Sequence, residues 1–299
     1  MTGPEGNVII VGAGPAGIAA AIQLKRYGYN PLLYEAGKVG GLLLNANLVE
    51  NYPGFPGGIS GPELVALFES QLERLSIVPR MEQVLGVEFR DGVFRINTGG
   101  GRYQAGYLVV ASGTSPKKLA GIKMAGGVQD RIYHHVYPLL GVSGKDLVII
   151  GAGDAAFDYA LNLGKNNSVT ILNRSDEVKC LPLLWERAQG NPHINYLRNT
   201  SVRRISEAAG GGLMVKCRTA EGTCEYRADF LIAAIGRYPN VEFLSQSKSI
   251  RPDNLASTGL LYKIGDVKNQ IYRQTTIAVG DGVRAAMRIY LKGSKGEKK

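Results

Sequence analysis

Apolar residues along this chain fall in short solid runs, and two of those runs lead into the same turn. NVIIV (Asn7 to Val11) shows no polar alternation once it starts, the pattern of a strand buried on both faces of a parallel sheet. It passes directly into GAGPAG (Gly12 to Gly17) and then IAAAIQLKRYG, whose small and apolar residues predict a helix. A further run, PLLYE, ends at Glu35. The order recurs at DLVII (Asp146 to Ile150), GAGDAA, the helical AFDYALNLG and the strand SVTILN. Two similar strands, YLVVASG (Tyr107 to Gly113) and FLIAAIG (Phe230 to Gly236), each follow a turn-rich segment of antiparallel character. Both halves therefore share one plan, and the fold class it predicts is α/β, with two Rossmann-like domains of three-layer ββα type.

The turns carry the candidate chemistry. With 40 glycines in 299 residues, a bare G-x-G-x-x-G is expected roughly 0.7 times by chance, so context decides. Here a buried-type strand precedes the turn, a helix follows it, and Glu35 lies 18 residues beyond Gly17 (35 − 17), near the spacing of an acid that binds a ribose hydroxyl. Gly12, Gly14 and Gly17, with Pro15 and Ala16, let the backbone approach a pyrophosphate whose charge rests on the helix N-terminus. In the second copy Gly151, Gly153, Asp154 and Ala155 take the same places, with alanine at the third glycine position, an accepted variant. Asn173 stands where the first copy has Glu35, followed by Arg174 and Lys179. Cations there suit a 2′-phosphate and favour NADPH over NADH, the alternative being simple solvated surface charge. Gly236 ends the closing strand of that unit.

Composition narrows the class. No apolar run approaches the ~18 residues of a membrane span. The N-terminal apolar stretch lacks a basic leader and is broken by glycines, unlike a signal peptide. Three cysteines exclude a disulfide scaffold and point to the cytoplasm, and no metal-ligand spacing is present. Of the net +10 charge, residues 151–299 carry +8 (22 basic, 14 acidic), which suits nucleic acid, an acidic protein or phosphorylated ligands, the alternative being a plain basic surface. Zinc-finger and aromatic RNA-binding motifs are missing, so nucleic acid is not an expected partner.

The sequence resembles the low-molecular-weight thioredoxin reductases over nearly its whole length. The resemblance rests on GAGPAG, ENYPGFP (Glu50 to Pro56), ASG (Ala111 to Gly113), GAGDAA, AIGRYPN (Ala233 to Asn240) and the IGD…YRQ tail. It implies FAD on the first unit and NAD(P)H on the second, with a discontinuous FAD-binding domain of residues 1–115 and 241–299 around an NAD(P)H-binding domain of residues 116–240. It further implies that Gly41, Leu42, Asn51, Val84, Ala111 and Gly113 lie along the FAD. Gly265 and Asp266 would meet its ribityl chain, and Arg273, Gln274 and Thr275 would start a helix aimed at the flavin pyrimidine edge. A homodimer is implied by the resemblance alone.

One departure is decisive for function. Where that family carries Cys-x-x-Cys, this chain has His134, His135, Val136 and Tyr137, and no C-x-x-C occurs anywhere in it. The expectation is an FAD-dependent NAD(P)H oxidoreductase that passes electrons directly to an acceptor: a ferredoxin- or flavodoxin-type carrier, a small molecule or O2. His134 and Tyr137 are the candidate catalytic residues, as proton donor and aromatic cover. Two alternatives stay open: a disulfide reductase using Cys217 and Cys224 or a partner's thiols, and a flavin-binding sensor without NAD(P)H turnover.

Overall fold

The computed structural model describes residues 8–245, 255 and 257–296; Asn7, the first residue of the expected first strand, lies outside them. In chain order the elements begin with β1 (Val8–Val11), α1 (Pro15–Arg26), β2 (Leu32–Tyr34), α2 (Gly61–Arg74), β3 (Val84–Arg90), β4 (Val93–Thr98), β5 (Gly101–Ala105) and β6 (Tyr107–Val110). Then come β7 (Thr114–Pro116), β8 (Lys123–Ala125), β9 (Ile132–Tyr133), β10 (Asp146–Ile150), α3 (Asp154–Leu163), β11 (Ser168–Leu172), α4 (Pro182–Gln189) and β12 (Ile194–Leu197). The rest are β13 (Ser201–Glu207), β14 (Leu213–Arg218), β15 (Thr223–Ala228), β16 (Phe230–Ala233), β17 (Arg237–Pro239), α5 (Glu242–Ser245), β18 (Leu261–Lys263) and α6 (Thr275–Gly296).

Two compact units result: residues 1–44, 49–115 and 238–299, and residues 45–48 and 116–237. The chain returns to the first unit at 237/238 rather than 240/241, and the excursion of Asn45–Leu48 into the second unit has no counterpart in the sequence reading. The crossing segments β7 and β17 pair as a two-stranded ribbon.

In the first unit a parallel sheet of order β18-β6-β1-β2 is covered on both faces. Alternation along β1 does this directly. Val8 and Ile10 pack among α1, α2 and α6 residues such as Leu24, Leu72 and Ile289, while Ile9 and Val11 pack with Phe94 and Ile96 of the β3-β4-β5 meander. The second unit repeats the device. Its parallel sheet has the order β12-β11-β10-β16-β9; Leu147 and Ile149 face α3 and α4, and Val148 faces the antiparallel β13, β14 and β15. The uniformly apolar strands are thus the middle layer of three.

Asn45–Leu48 is tied to the second unit by polar contacts. The buried Asn45 Oδ1 accepts the backbone N–H groups of Val136 and Tyr137, each at 3.0 Å. Asp158 of α3 accepts the Asn47 N–H at 2.9 Å, and Lys165 Nζ donates to Asn47 Oδ1 at 2.7 Å. Burial pushes the Asp158 carboxyl up to about 6, against the opposing help of the Asn47 and Leu48 N–H groups and the Lys165 charge.

That shift fixes a pH dependence. The folded protein holds this proton more tightly than the unfolded chain, so the contribution is fully present below the unfolded value and is lost as pH rises through about 6. Asp158→Asn keeps an acceptor for Asn47 and removes the charge. Between about pH 5 and about pH 7.5, the urea-unfolding free energy of the wild type should fall by ~1–3 kcal/mol relative to that variant. A wild type that gains on the variant over that interval contradicts the assignment.

Candidate functional site

The first turn is held by its own backbone. Gly12 has φ +105°, its N–H donates to Tyr34 O at 2.8 Å, and a Cβ there would lie 2.3 Å from Ala111 O. A Cβ on Gly17 would lie 1.9 Å from Gly12 O. Gly14 differs: a Cβ there would meet nothing within 4 Å. Two of the three glycines are therefore required by the protein's own packing, while a Cβ on Gly14 would project into open space. Gly14 caps α1 without a side-chain hydrogen bond, Pro15 follows, and no acid sits in the first turn, so the free N–H donors present an anion site. Ala16 is buried behind them.

Glu35, Gly41, Ala111 and Gly265 come together around this turn, and the other expected FAD-site residues belong to the same unit. Glu35 Oε2 accepts the Ala13 N–H at 2.7 Å and Oε1 the Gly37 N–H at 2.8 Å, which fixes the carboxylate beside the turn with lone pairs to spare for a ribose. Gly41 (φ +55°) opens the 3-10 turn containing Leu42, and its Cβ position lies 3.7 Å from Gly14 Cα. Asn51 Nδ2 donates to Gln274 Oε1 at 2.9 Å, immediately before α6 starts at Thr275. Arg273 Nε is buried without a partner, an orphaned donor beside that helix start. Val84 is a core residue at the start of β3, while Ala111 and Gly113 follow β6. Gly265 (φ +68°) and Asp266 form a 3-10 turn.

Sequence reasoning missed what holds that last turn. Asp281 of α6, 8% exposed, accepts the Gly265 N–H at 3.2 Å and Asn269 Nδ2 at 2.7 Å. Its neighbour Gly282 lets α6 lie against α1, since a Cβ there would meet Ala16 O at 2.3 Å. The signal was an acid between two glycines on the buried side of a helix, in AVGDG.

The second turn follows the same rule. Gly151 (φ +130°) would drive a Cβ to 2.3 Å from Ala234 O, whereas the Gly153 Cβ position is 4.0 Å from its nearest neighbour, Lys179 O. Ala156 is fully buried in the third position. Asp154 and Ala155 open α3, and Asp154 Oδ1 accepts the Leu181 N–H at 2.8 Å. The Lys179 N–H donates to Ala152 O at 2.9 Å, which lays the 177–181 loop along the turn. Arg174 is exposed, and Lys179 pairs with Glu177 at 3.1 Å.

Asn173 is turned into its own loop. Its side chain is buried, with Nδ2 donating to Glu177 O and Tyr196 Oη and Oδ1 accepting from Ser175 N and Oγ. It shapes the loop that carries Arg174 and Lys179 and has no face left for a nucleotide. Gly236 (φ +101°) has the Lys117 side-chain stem 3.5 Å from its Cβ position, placing a cation there that the sequence had not singled out.

His134 and His135 leave the end of β9, whose neighbour in the sheet is β16 and then β10. They therefore share the carboxyl edge of the parallel sheet with the Gly151 turn and Gly236, the edge at which α/β sheets bind ligands. Both Nδ1 atoms are buried without a partner. Burial, with the charges of Arg237 and His134, lowers His135 to about 4, so it is neutral at pH 7. Tyr137 begins a 3-10 turn anchored by Asn45. Neither His135 nor Asn45 was singled out from sequence.

The cysteines are placed for packing. Cys217 and Cys224 are cross-strand partners on β14 and β15, both free, and Cys217 lies in the core between the sheets. Burial and the neighbouring Cys224 push the Cys217 thiol up to about 12, which leaves almost no thiolate at neutral pH. Cys180 is raised too, by burial and then Asp154. Among the described residues no group of His, Cys, Asp and Glu is arranged to hold a metal ion, and no helix is long and apolar enough to cross a membrane.

The comparisons agree with this geometry. Residues 6–282 match the family model described as pyridine nucleotide-disulphide oxidoreductase. A bifunctional thioredoxin reductase/thioredoxin of Mycobacterium leprae is 32% identical over 94% of this chain, which spans 64% of that longer protein. A thioredoxin reductase of Streptomyces clavuligerus is 31% identical, covering 94% of this chain and 92% of its own. The crystal structure of Lactococcus lactis thioredoxin reductase superposes with a TM-score of 0.86 at 27% identity, covering 97% of this chain and all of that one. The chain thus belongs to the pyridine nucleotide-disulphide oxidoreductase family, in its thioredoxin reductase-like branch of FAD- and NAD(P)H-dependent oxidoreductases.

Proposed function

We propose that this protein is an NAD(P)H oxidoreductase whose first unit holds FAD, whose second unit takes NADPH, and whose acceptor brings its own redox group. The observation that carries the reading is the pairing of two intact dinucleotide turns with a His-His-Val-Tyr segment at the place of the family's dithiol. Bound FAD supplies hydride acceptance and onward electron transfer. The chain's part is to bind and tune. The α1 N-terminus takes the pyrophosphate, Glu35 the ribose, and the first N–H groups of α6 stabilise negative charge at the flavin's pyrimidine edge. Gly151 to Ala155 would hold the second pyrophosphate, with Arg174 and Lys179 meeting a 2′-phosphate.

Disulfide reduction, the activity in the relatives' names, requires a nucleophilic thiolate. Burial pushes the Cys217 thiol up to about 12, which disfavours that role for Cys217. Acceptors that need none fit the chain: an acidic carrier protein, which the +10 charge would steer, a small molecule, or O2.

The open space at Gly14 gives a direct test of cofactor placement. Gly14→Ala should leave the unfolding free energy of the cofactor-free protein within ~0.5 kcal/mol and weaken FAD binding at least about tenfold. Gly12→Ala should destabilise the cofactor-free protein itself by ~1–3 kcal/mol. Equal stability losses in both variants would contradict the placement.

Electron entry is read by anaerobic stopped flow of flavin absorbance after NADPH, and separately NADH. NADPH should bleach the flavin faster, and the double variant Arg174→Ala/Lys179→Ala should cut the NADPH-to-NADH preference by roughly tenfold. Flavin unbleached by either nucleotide would favour a flavin-binding sensor instead.

A further inference from the structure

The second unit carries a concave basic surface that neither dinucleotide turn uses. It lies on the solvent face of the sheet β15-β14-β13-β8, as a cavity of about 630 Å³ whose lining includes Lys123, Arg203, Arg204, Ser206, Lys216 and Glu225. None of these belongs to the Gly151 turn or to the loop of Arg174 and Lys179.

The strand geometry brings the cations together. Arg204 of β13 is the register partner of Lys123 on one side and of Lys216 on the other, and Lys216 is in turn the partner of Glu225. Four side chains thus form a row across the sheet. A bulge between Val202 and Arg204 adds a fifth. Strict alternation would turn one of two successive arginines into the core; the bulge instead leaves Val202 and Ile205 buried and sends both Arg203 and Arg204 outward.

The row is poorly neutralised. Glu225 pairs with Lys216 at 3.2 Å, and among the described residues no ion pair engages Lys123, Arg203 or Arg204. Like charges directly across a strand pair repel, and a bound anion would offset that repulsion. From Lys123 to Lys216 the row crosses two strand spacings, about 10 Å, too long for one tetrahedral anion. The cavity has the volume of a small-molecule site, but none of the residues lining it is aromatic, so it offers no ring on which a base would stack. Paired guanidinium forks flanked by ammonium groups are the donor set for successive phosphates.

We propose that this surface binds an oligophosphate chain, whether inorganic or the tail of a nucleoside triphosphate, at a site separate from both dinucleotide turns. Calorimetric titration of the FAD-loaded protein saturated with NADP+ tests it, using tripolyphosphate, ATP, orthophosphate and a hexaglutamate peptide. Tripolyphosphate should bind saturably at one site. Arg203→Gln/Arg204→Gln should weaken it at least tenfold, and Glu225→Gln should tighten it several-fold, a gain that structural damage would not give. ATP binding as tightly as tripolyphosphate identifies a nucleotide tail as the source, and much weaker ATP binding identifies the free chain; either supports the site. No saturable binding, binding unchanged by the arginine substitutions, or orthophosphate as tight as tripolyphosphate overturns it. Tighter binding of hexaglutamate also overturns it, in favour of an acidic protein segment.

Discussion

The architecture depends on one close approach, made twice. In each unit the glycine after the strand that leads into the turn passes close to the carbonyl just beyond the neighbouring strand: Gly12 by Ala111 O after β6, Gly151 by Ala234 O after β16, with room for no Cβ at either place. That contact lets the strand turn sharply into a helix, so the helix N-terminus faces out at the carboxyl edge of the sheet. Everything proposed about nucleotide binding follows from those exposed N–H groups. The same approach explains why a second glycine in each turn, Gly14 or Gly153, is almost free of internal contacts.

The two units are not equal copies, and their differences follow the same physics. Gly17 is forced, because a Cβ would strike Gly12 O, whereas Ala156 is accommodated fully buried. The first unit adds a second helix contact in which Gly282 of α6 sits on the first turn of α1 and Asp281 fastens the Gly265 turn. The second unit instead ends its ribose loop on Asn173, whose amide is spent inside the loop, and leaves Arg174 to face solvent. Glu35, hydrogen-bonded to the turn in one copy, is matched by a loop anchor with a cation beside it in the other.

Much of this was legible in the residues. Solid apolar runs predicted the sheets, and strand-turn-helix order made the glycine turns informative where glycine content alone did not. Glu35 could be named from its spacing to the first turn, and Asn51 and Gln274 from the family resemblance, yet the hydrogen bond joining Asn51 to Gln274 is a product of the fold. What stayed hidden has a common cause. Asn45, Asp158 and Asp281 are polar residues whose meaning comes from backbone N–H groups or side chains that the fold brings to them, and no local spacing announces those partners. The inward hydrogen bonds of Asn173 stayed hidden for the same reason. The basic row on β8, β13 and β14 is likewise visible only once the strand register aligns it.

The central claim is that electrons leave this protein without an internal dithiol. An anaerobic titration of the FAD-loaded protein with dithionite tests it without relying on either nucleotide site. A flavin and a disulfide are each two-electron couples, so the end point counts them. Two electrons per FAD should complete the reduction. Uptake of four would reveal a redox-active disulfide and contradict it.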